Sequence, residues 1–398
     1  MRKLNKTAAC GILAAALAAG TLSGCSKAID GTKTVATVGD EKVTLGLASY
    51  MTRDQQAQTV SYYNMLMSQY GVSGSASNVW DQKGDDGKTV GESSKDSVMK
   101  TINQLYVLKA HAADYDVTIT EDEEKAIKEA AAEFIKDNDE KILKKLAVSE
   151  DDIVTYLELV TIRSKMHDPM TADVDTEVSA NEKDQTRVTI VKVSTEGTEK
   201  DDDGNTIDLT DEEKAQKKDL AQQVLDKVKA SDDVANADMD ALAKEVDDSL
   251  SATAPAFTTA GDTDDTLDEA VQDAALELKD GEVADKVIEG DDGYYVVRLD
   301  KMLDEDATEN KEKTVISERK SDLYDSTLED WVKEEKIKVD DKVWDQIKVT
   351  DSVSFEYKSK DSSEGDSTAA DADSTKDTED TSAQDSSASD SAAEDSAE

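Results

Sequence analysis

From Val35 to Thr44 apolar and polar residues alternate about a Gly39-Asp40 turn, which predicts a small β-hairpin. A helix is predicted to follow, ending near Tyr70, and the Gly/Ser-rich stretch from Gly71 to Ser94, which holds Trp80, reads as a loop. The pattern then settles to a helical period. Val98, Ile102, Leu105, Leu108 and Ala112 fall at i, i+3, i+4 spacings and draw one apolar stripe. Thr120 and Glu123 make a capping-box pattern ahead of a helix carrying Ile127, Ala131, Phe134 and Ile135. Ser149 opens a third helix with Ile153, Leu157, Val160 and Ile162, closed by Pro169. Residues 95–168 thus read as a helical module.

From Arg187 the period is two, and Val188 to Val193 is a predicted strand. Beyond an acidic loop, Asp201 to Asp208, helices are expected over about 211–230, 237–245 and 267–278. Val283 to Val287 and Tyr294 to Leu299, either side of an Asp-Asp-Gly turn at 291–293, read as closing strands. Residues 313–336 are helical again, with Ile316, Leu323, Leu328 and Trp331 on one side, and 337–355 supply a last strand or two. From Asp361 to Glu398 there is no aromatic residue, Val, Leu or Ile, and 13 acidic residues stand against Lys376 alone. Such a segment has too little apolar surface to fold, so it reads as a solvated acidic spacer, with a cation or partner site as the sharper alternative.

The first residues change the picture. Arg2, Lys3 and Lys6 precede an Ala-rich apolar run, Ala8 to Ala19, and then Leu22-Ser23-Gly24-Cys25. That is the order of a signal peptide ending in a lipobox, and the run is short of the roughly 20 residues that a membrane span needs. The expectation is cleavage before Cys25, acylation of its thiol, and attachment through it to the lipid bilayer at the outer face of a bacterial membrane. Two acyl chains hold a protein there where one of myristoyl length binds only marginally. Cys10 and Cys25 are the only cysteines, so such processing leaves no thiol for disulfides or thiolate catalysis.

Lys and Arg number 46 against 92 Asp and Glu, a formal net charge of −46 that repels phosphate backbones and argues against a nucleic-acid partner. His111 and His167 are the only histidines and have no second histidine or cysteine at ligand spacing, which points to surface or capping roles rather than zinc or Ser-His-Asp chemistry. The loop from Glu199 to Ile207 hints at a calcium loop, but Thr210 stands where the bidentate glutamate belongs. No cofactor is called for. Met51, Met65 and Met67 with Tyr62, Tyr63 and Tyr70 crowd the first long helix, either as an adaptable surface for unfolded segments or as core.

In this order the elements resemble the PrsA-like foldase lipoproteins, related to SurA-like chaperones, with a parvulin domain at their centre. V-A-T-V-G-D-E-K-V-T at 35–44 is similar to that family's opening, and L-A-K-E at 242–245 to the end of one of its helices. A-A-L-E-L-K-D-G-E-V at 274–283 and G-Y-Y-V-V-R-L at 293–299 resemble its A-A-F-x-L-K-x-G-E-V-S and G-Y-H-I-I-K-L. Gly281 and Gly293 are expected to turn the chain with positive φ, and the L-E-L-K-D-G ending to be a helix C-terminus with a cationic last turn. The resemblance implies an α+β fold: a helical chaperone module with an inserted parvulin-like antiparallel sheet and flanking helices. The implied organisation is a signal peptide at 1–24, a tether at 25–33, the chaperone module at 34–180, the parvulin-like domain at 181–304, a returning segment at 305–357 and an acidic tail at 358–398.

The resemblance also implies a site, in altered form. The family's two histidines fall at Ile190 and Tyr295, its Cys or Asp at Ser249, and the Met and Phe of its proline cup at Leu267 and Val271. Its G-G-D-L-G loop survives as Gly261-Asp262. The implied activity is peptidyl-prolyl isomerisation on partly folded exported polypeptides. The alternatives are a non-catalytic holdase with a degenerate parvulin domain and a solute-binding lipoprotein, against which stands the lack of a doubly wound αβ repeat. Nothing in the pattern specifies an oligomeric state.

Overall fold

Alternation and capping chemistry set most of the element boundaries. The computed structural model describes residues 16–19, 29–69, 79–198, 200, 206–260 and 267–358. Cys25, Tyr70, most of the 199–207 loop, Gly261-Asp262 and the tail beyond 358 lie outside the described residues. A short strand, β1 (Ala16–Ala19), falls within the stretch read as a signal peptide. The expected hairpin follows as β2 (Thr34–Val38) and β3 (Glu41–Thr44), antiparallel, and leads straight into α1 (Leu45–Gln69).

α2 (Val90–His111) starts earlier than its apolar stripe suggested, inside the stretch read as a loop. Thr89 and Glu92 form a reciprocal capping box there, which satisfies the first free N–H groups of the helix. The Thr120–Glu123 box opens α3 (Glu121–Asp137) as expected. A short separate helix not anticipated, α4 (Glu140–Leu146), precedes α5 (Glu150–Met170), whose box is Ser149 with Asp152. Pro169 sits inside the last turn of α5 rather than ending it. The Asp152 carboxylate also accepts the Thr44 hydroxyl, tying the hairpin to the start of α5.

After α6 (Ala180–Lys183) the chain enters a second sheet through β4 (Gln185–Ser194). Then come α7 (Asp211–Lys229), α8 (Met239–Lys244), β5 (Ala252–Thr253), β6 (Ala256–Thr258), α9 (Glu269–Leu276), β7 (Ile288–Glu289) and β8 (Gly293–Lys301). The strand order is β5-β4-β8-β7, with β6 pairing farther along β4. The strand expected over 283–287 is reduced to a single bridge at Val283 and to β7 beyond it. Alternation sorts the long central pair between two cores. Val191, Val193, Tyr294 and Val296 pack with α7 and α8 on one face, while Val188, Ile190, Tyr295, Val297 and Leu299 pack with α9 on the other.

Gly281 has φ +81°, as a tight turn demands, and its N–H reaches the Leu299 carbonyl. Gly293 does not have positive φ; a side chain there would meet the Val193 carbonyl at 2.8 Å, so close approach across the ladder is its reason. Lys279 lies past the end of α9, which has no basic residue in its last turn.

α10 (Glu305–Glu334) begins well before the predicted 313, capped by Asp304, whose carboxylate accepts the Ala307 N–H and pairs with Arg187 on β4. It runs back to the helical body, where β9 (Ile337–Val339), α11 (Asp341–Trp344) and β10 (Phe355–Lys358) finish the described chain. β9 adds to the first hairpin in the order β3-β2-β9, and β10 pairs with β1. Leu328, Trp344, Ile347 and Phe355 join Leu45, Ile102, Leu108, Ile153 and their neighbours in one core, so the body is completed only by residues on both sides of the second sheet. The fold is α+β. Among the described residues no helix is long and apolar enough to cross a membrane.

Candidate functional site

The face of the second sheet covered by α9 opens at one end into a cleft of about 570 Å³. Its floor is apolar. Ile190 on β4 and Tyr295 on β8 are 6% and 4% exposed, Leu267 leans in from the segment before α9, and Val271 on α9 is fully buried in the same cluster beneath them. Antiparallel pairing explains the convergence. Ile190 stands opposite Val297 and Lys192 opposite Tyr295, so residues two apart on each strand present one surface. On the other side of β4, Ile190 pairs with Thr253, which puts Thr253 at the cleft with Pro255 beyond it. Gln272 donates to the Leu267 carbonyl at 2.7 Å and so fixes the entry to α9.

A polar edge surrounds this floor. The Lys192 ammonium pairs with Asp292 and stands 5.9 Å from the centre of the Tyr295 ring. Asp292 also accepts the Tyr295 hydroxyl hydrogen. Hydrogen bonds from Lys192 and then Tyr295 hold the Asp292 carboxyl below its usual range, whereas burial first and the Asp292 carboxylate second push the Tyr295 phenol up. Tyr295 is therefore a neutral phenol, committed to Asp292 and presenting its ring to the cleft. Asp268 caps α9 through the Ala270 N–H at 2.9 Å and accepts the Asp291 N–H at 2.6 Å.

Four of the five residues singled out from the sequence, Ile190, Leu267, Val271 and Tyr295, therefore gather at this cleft or directly under it. Ser249 does not. Its hydroxyl donates to the Asp247 carboxylate at 2.6 Å and its N–H to the same oxygen at 2.9 Å, which folds it into a local turn. It lines a separate depression of about 300 Å³ between β4, α7 and the 247–250 turn. Thr253, four residues on, occupies the cleft edge instead; its signal was the short apolar-polar run after α8, too brief to register as a strand. Lys192 and the acidic trio Asp268, Asp291 and Asp292 were also missed, because charged residues on strands, caps and turns read as solvated surface in a chain this acidic.

The histidines have structural surroundings. His111 stacks on Trp331 at 4.1 Å and pairs with Asp114, and His167 lies against Tyr324 beside Asp168. Along α1, Met51 is buried in the body, but Tyr62, Met65 and Tyr63 near the far end are 58%, 62% and 38% exposed. The methionine and tyrosine group of that helix is thus divided between core and surface.

Part of the chain that builds this cleft is similar to a known domain family. Residues 199–313 match the Rotamase_2 family model, described as a PPIC-type PPIASE domain. The match leaves out β4, the strand that supplies Ile190 and Lys192. No curated protein sequence matches the chain. Among solved structures the chain is similar to the foldase protein PrsA of Lactococcus lactis, at 15% identity, covering 78% of this chain and 96% of that one, with a TM-score of 0.31. It is also similar to the peptidylprolyl isomerase PrsA of Bacillus cereus, at 17% identity over 79% and 97% of the two chains and a TM-score of 0.29. A further match is to the pair PEB4 and Cj1289, described as SurA-like chaperones of Campylobacter jejuni, at 10% identity over 77% and 98%, with a TM-score of 0.24. The family match is confined to residues 199–313, which are similar to the PPIC-type PPIASE domain.

Proposed function

We propose that this chain is a foldase of exported proteins, tethered outside the cytoplasm through acylated Cys25, with a prolyl isomerase site in the cleft between β4, β8 and α9. The observation that carries the reading is the apolar floor on which Ile190 of β4 meets Leu267, Val271 and Tyr295, the last three within the residues that match a PPIC-type domain. Rotation about an X-Pro bond faces a barrier of about 18–20 kcal/mol because the planar amide is held by resonance. The twisted amide has lost that resonance and its charge separation, so an apolar enclosure for the proline ring favours it over the planar ground state. No nucleophile or metal is needed. Ile190, Leu267 and Tyr295 hold the ring, while the Thr253 hydroxyl and the Lys192 ammonium are donors within the same cleft for the prolyl nitrogen, whose lone pair is freed when the amide twists.

The exposed end of α1 supports a second activity in the same chain, retention of unfolded segments on Tyr62, Tyr63 and Met65. Tyrosine and methionine adapt to many apolar partners without a shaped pocket. The acidic tail and the net charge of −46 keep the complexes soluble and hold the folded body off anionic lipid headgroups. The domain limits read from the sequence, with a helical body at 34–180 and 305–357 around a parvulin-like domain at 181–304, belong to this proposal. The test is a proline tetrapeptide exchange assay run beside suppression of aggregation of an unfolded client. The foldase reading expects activity in both, a bare holdase only in the second, and absence of both overturns the proposal.

A further inference from the structure

We propose that the cleft selects proline segments that carry a lysine or arginine next to the proline and disfavours those with a glutamate or aspartate there; this rests on the isomerase reading and names its substrate class. Among the described residues lining the cleft, three carboxylates, Asp268, Asp291 and Asp292, stand at the mouth with Lys192 as the cation among them. Two of the three are fixed. Asp268 is held by the backbone N–H groups of Ala270 and Asp291, and Asp292 by Lys192 and the Tyr295 hydroxyl. Asp291, next to Asp292 in the chain and bound through its N–H to Asp268, is exposed.

These carboxylates converge on the apolar floor rather than facing away from it. A side chain at Gly290 would meet the Asp268 carboxylate at 2.5 Å and the Tyr295 ring at 2.9 Å, so the missing side chain lets acid and ring share one corner of the cleft. Asp292, Asp268 and Asp291 all bear on the Tyr295 phenol. One ammonium answers one carboxylate, which leaves the mouth negative beside a seat for an uncharged ring. A peptide that seats its proline on Ile190, Leu267 and Tyr295 brings the side chain of the neighbouring residue to that mouth. A cation there replaces solvent as the partner of Asp268 and Asp291, whereas an anion adds like charge. The apolar floor alone does not discriminate, because it contacts the proline in either peptide.

The experiment uses the full chain and a series of tetrapeptides Ala-Xaa-Pro-Phe with Xaa as Lys, Ala or Glu. Cis-trans exchange rates and dissociation constants are both read by NMR at low salt. The expected order is Lys over Ala over Glu in affinity and in rate, with Lys and Glu separated by on the order of tenfold. That ratio shrinks severalfold in 0.5 M sodium chloride, since rim charges are screened. It also shrinks in Asp268→Asn/Asp291→Asn, where asparagine at 268 keeps the helix cap. Equal binding of the Lys and Glu peptides, or a Glu preference, overturns the inference, as does a ratio that salt does not change. Binding in the expected order with exchange at the uncatalysed rate overturns the isomerase reading alone. Absence of binding by every peptide overturns both.

Discussion

The cleft beside β4 and the outer end of α1 both offer apolar side chains to solvent, yet they are built in opposite ways. In the cleft each apolar residue is fixed by strand pairing or by α9, and the polar groups around it hold one another: Lys192 to Asp292, Tyr295 to Asp292, Asp268 to two backbone N–H groups. At the end of α1, Tyr62 and Tyr63 touch only edge to face at 6.3 Å, and Met65 stands 62% exposed. A rigid enclosure suits a reaction whose only demand is to favour one geometry of an amide. A bare helix face suits clients that share no sequence. On the proposed function this difference would separate turnover from retention within one chain, and substitutions on each side should separate them in the laboratory.

The largest effect is expected from Tyr295→Ala. Removing a buried aromatic side chain costs about 3–5 kcal/mol of stability and opens the floor of the cleft. The exchange rate of a proline peptide should fall by about two orders of magnitude, and a urea titration should show an earlier midpoint. Aggregation suppression should fall far less, and a parallel loss of both would erase the distinction drawn here. Next comes the triple replacement Tyr62→Ser, Tyr63→Ser and Met65→Ser. Exposed positions contribute within about 0.5 kcal/mol each, so the thermal midpoint should barely move while client retention drops severalfold.

Tyr295→Phe is a finer probe. It keeps the ring and loses one hydrogen bond, at a cost of about 1 kcal/mol. Because Asp292 is held below its usual range, its pairing with Lys192 and Tyr295 is complete above the ordinary aspartate value of 3.8 and is lost as pH falls through its lower native value. Activity of the natural chain should thus persist in mild acid and fall only below that range. In Tyr295→Phe the fall should come at higher pH, because one of the two bonds that depress the carboxyl is gone.

The smallest effect concerns the junction of α6 with α10, away from both regions. Glu182, beside the entry to β4, is drawn down to about 2 by the Ser179 hydroxyl and N–H and by Arg319 of α10. A depressed carboxyl stabilises above 4.5 and loses that contribution as pH falls toward about 2. The difference in thermal midpoint between the natural chain and Glu182→Gln should be present at neutral pH and vanish in strong acid.

How legible these features were in the sequence follows from how local their causes are. The capping box at Thr120, the helix start at Ser149 and the alternation over 188–193 act within a few residues and were read where they occur. The Thr89–Glu92 box was hidden by the Gly/Ser-rich stretch before it, and α10 was read short because its first turns carry few apolar residues; both are fixed by their caps. Ile190, Leu267, Val271 and Tyr295 could be named by resemblance because the turn and strand motifs around them are distinctive. Ser249 followed the same resemblance to a different depression, since the 247–250 turn closes on Asp247 before the chain reaches the sheet. Thr253 and Asp292 reach the cleft through partners on β4 some sixty to a hundred residues away, Ile190 and Lys192, which no local pattern encodes.

The most direct test of the account is cis-trans exchange of a single proline tetrapeptide in the presence of the full chain. Uncatalysed exchange takes tens to hundreds of seconds at room temperature. If the cleft is an isomerase site, added protein speeds that exchange in proportion to its concentration, and Tyr295→Ala removes the acceleration. An exchange rate that stays at the uncatalysed value, with the peptide bound in the cleft, contradicts it.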